Sequence, residues 1–317
     1  MVVVVIGGTG HIGTYLVPRL VMAGHEVICV SRQAREPYRR DPLWQSVKMV
    51  HIDRDEAEAS HSFGSQIRAL KAEVVIDLIC FTPASAHAIV EALSGHVRHF
   101  IHCGTMWVHG YSEQVPTRET QPRKPFGEYG INKASIEAYL LGAARDNGFP
   151  ATVLHPGHIC GPGWLPINPA GHLDPDVFVR LASGKEVILP NLGMETLHHV
   201  HADDVAQAFA NSIVHWKHAI GEAFHVVSDQ AVTLRGYADA VAKWFGREAN
   251  LRFLNWDEWK KTTTDRNALL TWDHIAHSPN GSIEKAKNLI DYRPRYTSLE
   301  AIRESVGHYF EEAGIKP

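Results

Sequence analysis

Nowhere in these 317 residues is there an apolar run long enough to cross a bilayer. The opening segment Val2 to Ile6 is far short of the roughly 20 residues that a spanning helix needs. It carries neither a basic leader nor a small-residue cleavage site, so no signal peptide or membrane anchor is expected and the default address is cytoplasmic. Cysteine is scarce as well. Cys29, Cys80, Cys103 and Cys160 fall in or at the ends of apolar runs, and none has CxxC spacing. A zinc ribbon is thereby excluded, and the four read as small core residues. An excess of one charge is missing too: the net charge is −4, with acids and bases interspersed. No nucleic-acid or membrane partner is expected of such a surface. Internal repeats and low-complexity linkers are absent. Histidine, by contrast, is plentiful at 21, but no HExxH occurs and only His198-His199-Val200-His201 is dense. That stretch reads as a polar pocket wall or a surface, and no metal is expected there.

The most informative stretch is VVVVIGGTGHIG, Val2 to Gly13. Its apolar start reads as a strand buried on both faces, and His11 to Ala23 carries apolar residues at helical spacing. Strand, Gly7-x-x-Gly10-x-x-Gly13, helix is a cradle for nucleotide phosphates. Glycines permit the tight turn, let backbone amides approach a pyrophosphate, and let helix and strand pack closely. Candidate cofactor contacts are Gly7, Thr9, Gly10, His11, Ile12 and Gly13. A second strand, Glu26 to Val30, ends in Ser31-Arg32, where an NAD site usually has an acid for the ribose 2′-hydroxyl. A hydroxyl and a guanidinium suit a 2′-phosphate, so NADP(H) is preferred to NAD(H). The alternative is that Arg32, Arg35, Arg39 and Arg40 are solvated loop charges, as most of the four are expected to be. A third strand, Val47 to Ile52, leads to Asp53, which either accepts from the adenine or caps the following helix.

Further strands at Val74 to Ile79, Phe100 to His102 and Ala151 to Leu154 alternate with helices. The fold class is therefore α/β, a doubly wound parallel Rossmann sheet with a smaller, irregular C-terminal substrate lobe. Residues 1–165 form the dinucleotide-binding domain, which also receives 198–230. Residues 166–197 and 231–317 form the substrate lobe. Beyond Trp164 a helix near Asp174 to Ala182 is expected, then one capped by Asp203. An irregular region holding Trp256, Trp259 and Trp272 follows.

Tyr129-Gly130-Ile131-Asn132-Lys133 opens a helix running to Arg145. Residues four apart share a face, so phenol and ammonium can point into one site. A nearby ammonium and an oxidised nicotinamide would lower the phenol pKa toward neutrality, which takes roughly 4 kcal/mol for three units. Thr105, at a strand end, either hydrogen-bonds the reacting oxygen or only stabilises a turn.

Taken together, GGTGHIG, CGTMWVHG, YGINK, PGHICGPG and HVHADDVA resemble, in order, the extended short-chain dehydrogenase/reductases of the NAD-dependent epimerase/dehydratase group. The resemblance implies that Gly7, Gly10 and Gly13 bind the pyrophosphate and Asp53 the adenine. It implies that Thr105, Tyr129 and Lys133 are catalytic, and that Lys133 also holds the nicotinamide ribose. The departures concern the substrate. Met106-Trp107 replaces the Asp-Glu pair of nucleotide-sugar dehydratases, and His158 and Leu197 replace an Asn and an Arg of the epimerases. The expected activity is NAD(P)-dependent hydride transfer, as net redox or epimerisation, on a small sugar-like substrate without a nucleotide diphosphate. Trp107, His109, His158 and Trp164 are candidate substrate contacts. The alternative is a non-catalytic dinucleotide-binding redox sensor or partner-binding protein. A homodimer through helices 84–93 and 127–145 is also expected.

Overall fold

The computed structural model describes residues 1–32 and 37–315. Arg35 lies outside the described residues. Six strands appear in succession: β1 (Val2–Ile6), β2 (Glu26–Ser31), β3 (Lys48–His51), β4 (Val74–Asp77), β5 (His99–Cys103) and β6 (Ala151–Pro156). Four short strands follow, β7 (His158–Cys160), β8 (Val187–Pro190), β9 (Thr196–Leu197) and β10 (His199–His201), and then β11 (Ala223–Val226). The central sheet has the order β11-β6-β5-β4-β1-β2-β3, and all its pairings are parallel. The order reverses between β1 and β4, so a crevice opens beyond the carboxyl ends of these strands.

Covering the sheet on both faces explains why β1 is apolar throughout rather than alternating. Val3 and Val5 join the core under α1 (His11–Met22), whereas Val4 and Ile6 face the opposite core. Between β3 and β6 run α2 (Arg54–Ala59), α3 (Phe63–Ala69), α4 (Pro83–Leu93) and α5 (Gly127–Asn147). The second core takes Phe63 and Ile67 from α3, Ile89 and Val90 from α4, and Ile136 and Leu140 from α5.

After β6 come α6 (Asp176–Ala182), α7 (Ala202–Val214) and α8 (Trp216–Ala219), and α7 completes the α1 face with Val205 and Phe209. The chain ends with β12 (Val232–Thr233), α9 (Leu234–Trp244), β13 (Leu251–Leu254), α10 (Trp256–Trp259), α11 (Asp265–His277), α12 (Glu284–Ile290) and α13 (Ser298–Glu312). A third core, including Phe178, Tyr237, Trp259, Ile302 and Phe310, packs α6, α9, α10 and α13 together.

Two expectations need correction. The stretch around the tryptophans is regular, because β13 pairs in parallel with β8, Trp256 and Trp259 lie in α10, and Trp272 lies in α11. Helix α7 is capped by the His201 imidazole, which accepts from Asp203 N–H at 3.0 Å, and not by Asp203. The Asp203 carboxylate instead binds Arg19 at 2.6 Å and Arg295 at 3.1 Å, a stronger demand on it than a backbone amide makes. The cysteines are buried and unpaired. Among the described residues no helix is long and apolar enough to cross a membrane.

Candidate active site

The glycine turn closes between β1 and α1. Gly7 has φ +80°, a conformation that side chains rarely adopt, and its amide binds Val30 O at 2.9 Å. A Cβ on Gly13 would lie 2.0 Å from Gly8 O, so this position is glycine because helix and turn backbones touch. Gly10 caps α1 with no side-chain hydrogen bond, and the first turn holds no acid. The amides of this first turn are thus left for an anion, and the helix dipole favours one there. These features fit a dinucleotide pyrophosphate. The His11 side chain turns aside, hydrogen-bonding the Tyr38 hydroxyl and stacking on Trp164 with ring centroids 4.9 Å apart.

Thr105, Tyr129 and Lys133 meet at the carboxyl ends of β4 and β5. Lys133 is 1% exposed, and its Nζ donates to Cys80 O at 2.8 Å and Cys103 O at 2.7 Å. Burial pulls its pKa below the usual lysine value. One helical turn earlier, Tyr129 keeps 42% of its surface open, yet its phenol is pushed up to about 12, first by burial and then by Cys103, against the pull of the Thr105 hydroxyl. The expected depression by Lys133 is therefore absent from the protein's own groups: desolvation wins, and the ammonium is already held by two carbonyls. Thr105 also serves its turn, since its Oγ1 accepts from Trp107 N–H at 3.3 Å.

Behind Thr105 lies a buried chain of contacts that the sequence reading missed. The Thr105 amide donates to His155 Nδ1 at 3.0 Å, which puts the imidazole proton on Nε2. That nitrogen lies 3.1 Å from Glu137 Oε1, close but poorly aligned for a hydrogen bond. Arg123 grips both Glu137 oxygens at 2.6 and 2.8 Å. Burial alone would raise the Glu137 pKa, but His155 and Arg123 hold it well below the carboxylate range. Gly104 must be glycine here, because a Cβ would lie 2.4 Å from His155 Nδ1. A signal was available: Glu137 is four residues beyond Lys133, on the same helix face.

The four candidate substrate contacts separate. Trp107 meets the Tyr129 ring edge-on at 5.9 Å and stacks on His277 at 4.2 Å. His158 lies 4.9 Å from His274 and 5.5 Å from His199 by ring centroids, and His274 is 5.4 Å from Trp107. One continuous wall of rings thus runs from Tyr129 to His199, with His274 and His277 of α11 as members the sequence reading did not name. Burial is the main cause that lowers all four imidazoles, His274 and His277 to about 4, His199 to about 3 and His158 well below 6.5. His109 is not in the wall: it is buried and its Nε2 meets His225 Nε2 at 2.8 Å. Trp164 stands at the glycine turn on His11 instead.

At the other end of the crevice, Ser31 is buried at the end of β2. Arg32 is exposed, with only a loose 3.8 Å approach to Asp55. Arg39 and Arg40 join Ser31 around a cleft of about 780 Å³. Asp53 takes the capping alternative, accepting from Asp55 and Glu56 amides at 2.9 and 3.2 Å through one oxygen. Among the described residues there is no metal-binding cluster, His198 to His201 included.

Comparison with known proteins supplies relatives along most of the chain. The model of the NAD dependent epimerase/dehydratase family matches residues 3–226. A 2'-dehydrokanamycin reductase of Streptomyces kanamyceticus is 28% identical over 78% of this chain and 68% of its own length. The chloroplast stem-loop binding protein of 41 kDa b of Arabidopsis thaliana is 27% identical over 96% of this chain and 78% of its own. Among solved structures, the UDP-glucose 4-epimerase of Thermotoga maritima with UDP-glucose has a TM-score of 0.74 at 20% identity, covering 99% of this chain and 100% of that one. A dTDP-glucose 4,6-dehydratase of Bacillus anthracis in complex with NAD has a TM-score of 0.75 at 17% identity, covering 99% and 98%.

Proposed function

This chain belongs to the NAD-dependent epimerase/dehydratase family of enzymes, and within that family we propose an NADP(H)-preferring oxidoreductase or epimerase acting on a small sugar-like substrate without a nucleotide diphosphate. The observation that carries this reading is the meeting of Thr105, Tyr129 and Lys133 at the crevice beyond β4 and β5. When bound, the nicotinamide supplies or takes up the hydride. Thr105 holds the reacting oxygen, and Tyr129 moves its proton. A phenol near 12 is protonated at neutral pH, so the protein's own groups equip Tyr129 first as the donor for carbonyl reduction. Lys133, with two of its three donors on backbone carbonyls, has one left for the nicotinamide ribose.

For the dinucleotide, residues 1–165 with 198–230 are the binding part, using the glycine turn and the amides of His11, Ile12 and Gly13. Residues 166–197 and 231–317 are the substrate lobe. Helices α4 and α5 are the face proposed for a homodimer. The substrate reading draws support from Leu197, fully buried where an epimerase arginine is expected. A missing guanidinium removes a charge-assisted contact of about 1.5–3 kcal/mol to a diphosphate.

Tyr129→Phe should leave NADPH binding, read by nicotinamide fluorescence, intact and lower kcat by roughly 10²–10⁴-fold. Turnover equal to that of the unmodified enzyme would defeat the assignment. Binding without turnover by the unmodified protein, across ketoses, aldehydes and polyols, would favour a sensor. NADPH should bind more tightly than NADH, and Arg32→Asp should reverse the order. Equal affinity of the unmodified protein for both would remove the Arg32 role.

A further inference from the structure

Three nitrogen-bearing rings of the wall beside Tyr129 lack partners that their chemistry requires. His199 Nε2 lies 3.1 Å from Ile167 O, and His277 Nδ1 lies 2.6 Å from Asp273 O. A carbonyl only accepts, so those nitrogens carry the protons, and His199 Nδ1 and His277 Nε2 are bare lone pairs. Neither has a partner among the described residues, and neither does either nitrogen of His158. His199 is 0% and His277 2% exposed, so water does not reach them freely. Buried polar atoms in a folded protein are almost always satisfied, and an orphan cluster beside a reactive site calls for a ligand or an ordered water.

The tautomers set the character of that ligand. Two acceptors fixed by their own hydrogen bonds need O–H or N–H groups opposite them. A carboxylate or phosphate oxygen would instead set lone pair against lone pair. Protonating the rings would relieve this, but burial opposes it. Among the described residues no ammonium or guanidinium lies over the rings of Trp107, His277, His274, His158 or His199, the nearest along the wall being Lys133, 5.9 Å from the Tyr129 ring. The geometry points to His158, His199 and His277 as a substrate-binding set that takes a non-anionic, donor-rich polyol, hydroxylated or amino-substituted, and rejects its phosphate esters. The inference rests on the hydride-transfer reading of Tyr129 and names the substrate class of that same site.

The test uses the NADPH-loaded enzyme and matched probes: D-xylulose with D-xylulose 5-phosphate, D-fructose with D-fructose 6-phosphate, 1-amino-1-deoxy-D-fructose, and UDP-glucose. Binding is read by calorimetry and turnover by nicotinamide absorbance. At least one neutral or amino member should bind at least about tenfold more tightly than the phosphorylated ones. His199→Phe and His277→Phe, which keep a ring in the wall, should raise its Kd and KM by about tenfold while kcat and NADPH affinity stay within about twofold. Should a variant fail to fold, the unmodified enzyme's discrimination against phosphate decides. Phosphate esters or UDP-glucose binding as well as the neutral probes, no binding by any neutral or amino probe, or an unchanged KM in both variants would each overturn the inference. Selective binding that the variants lose, without turnover, would leave the recognition set standing and remove the hydride-transfer reading instead.

Discussion

Thr105 shows how far the position of one hydroxyl depends on the residues packed behind it. Its amide is tied to His155, His155 approaches Glu137, and Glu137 is gripped by Arg123. Arg123→Leu would strand a carboxylate that is 4% exposed at its side chain, while Arg123 itself is 23% exposed. Allowing for that partial screening, the cost should be about 2–3 kcal/mol, read as a lower urea midpoint with an unchanged slope. A midpoint within error of the unmodified protein would mean that the pair contributes only locally. Tyr129 and Lys133 were legible in the sequence because a helix brings residues four apart onto one face. His109 was not, because Met106 to His109 is a 3-10 turn. With three residues per turn, positions two apart diverge, so Trp107 joins the ring wall while His109 enters the core.

Among the elements, the turn from β1 into α1 separates two kinds of glycine. Gly13→Ala would drive a Cβ into Gly8 backbone at 2.0 Å, and backbone cannot step aside. At Gly10 the nearest atom to such a Cβ is Gly7 O at 3.2 Å, and φ is an ordinary −78°. Gly13→Ala should therefore lower the melting temperature by several degrees. Gly10→Ala should melt near the unmodified protein and, on the proposed reading, lose NADPH affinity, because a methyl at the helix N-cap crowds the anion site proposed there. Equal melting temperatures for the two variants would contradict this division. The strands of the central sheet were readable because burial on both faces leaves an apolar run between turn residues. The pairing of β7 with β10 was not, since three-residue strands carry too little pattern to fix a register. Helix α11 was hidden for a similar reason: its buried face includes Thr271, His274 and His277, which an apolar periodicity does not register.

For the whole molecule, the dominant electrostatic feature is neutral histidine. More than half of the 21 histidines have pKa values lowered by burial, several to about 3 or 4. A folded pKa below the unfolded 6.5 means that the unfolded chain binds the proton first. The stability these groups contribute is complete above about pH 6.5 and is lost as pH falls through about 4. Each extra proton taken up on unfolding adds a slope of about 1.4 kcal/mol per pH unit. Asp204, raised to about 6, works in the opposite direction, but it is one group against many. Urea midpoints should consequently fall steeply between about pH 7 and pH 5, before ordinary carboxylates titrate. A flat profile over that range would show that the imidazoles titrate normally.

The contact of Tyr38 with His11, and of His11 with Trp164, has a wider effect than its size suggests. It fastens Tyr38, between β2 and β3, through the first residue of α1 to Trp164 beyond β7. Two loops from distant parts of the chain are thereby clasped together at the glycine turn. Exchanging one of these loops would therefore shift the other as well.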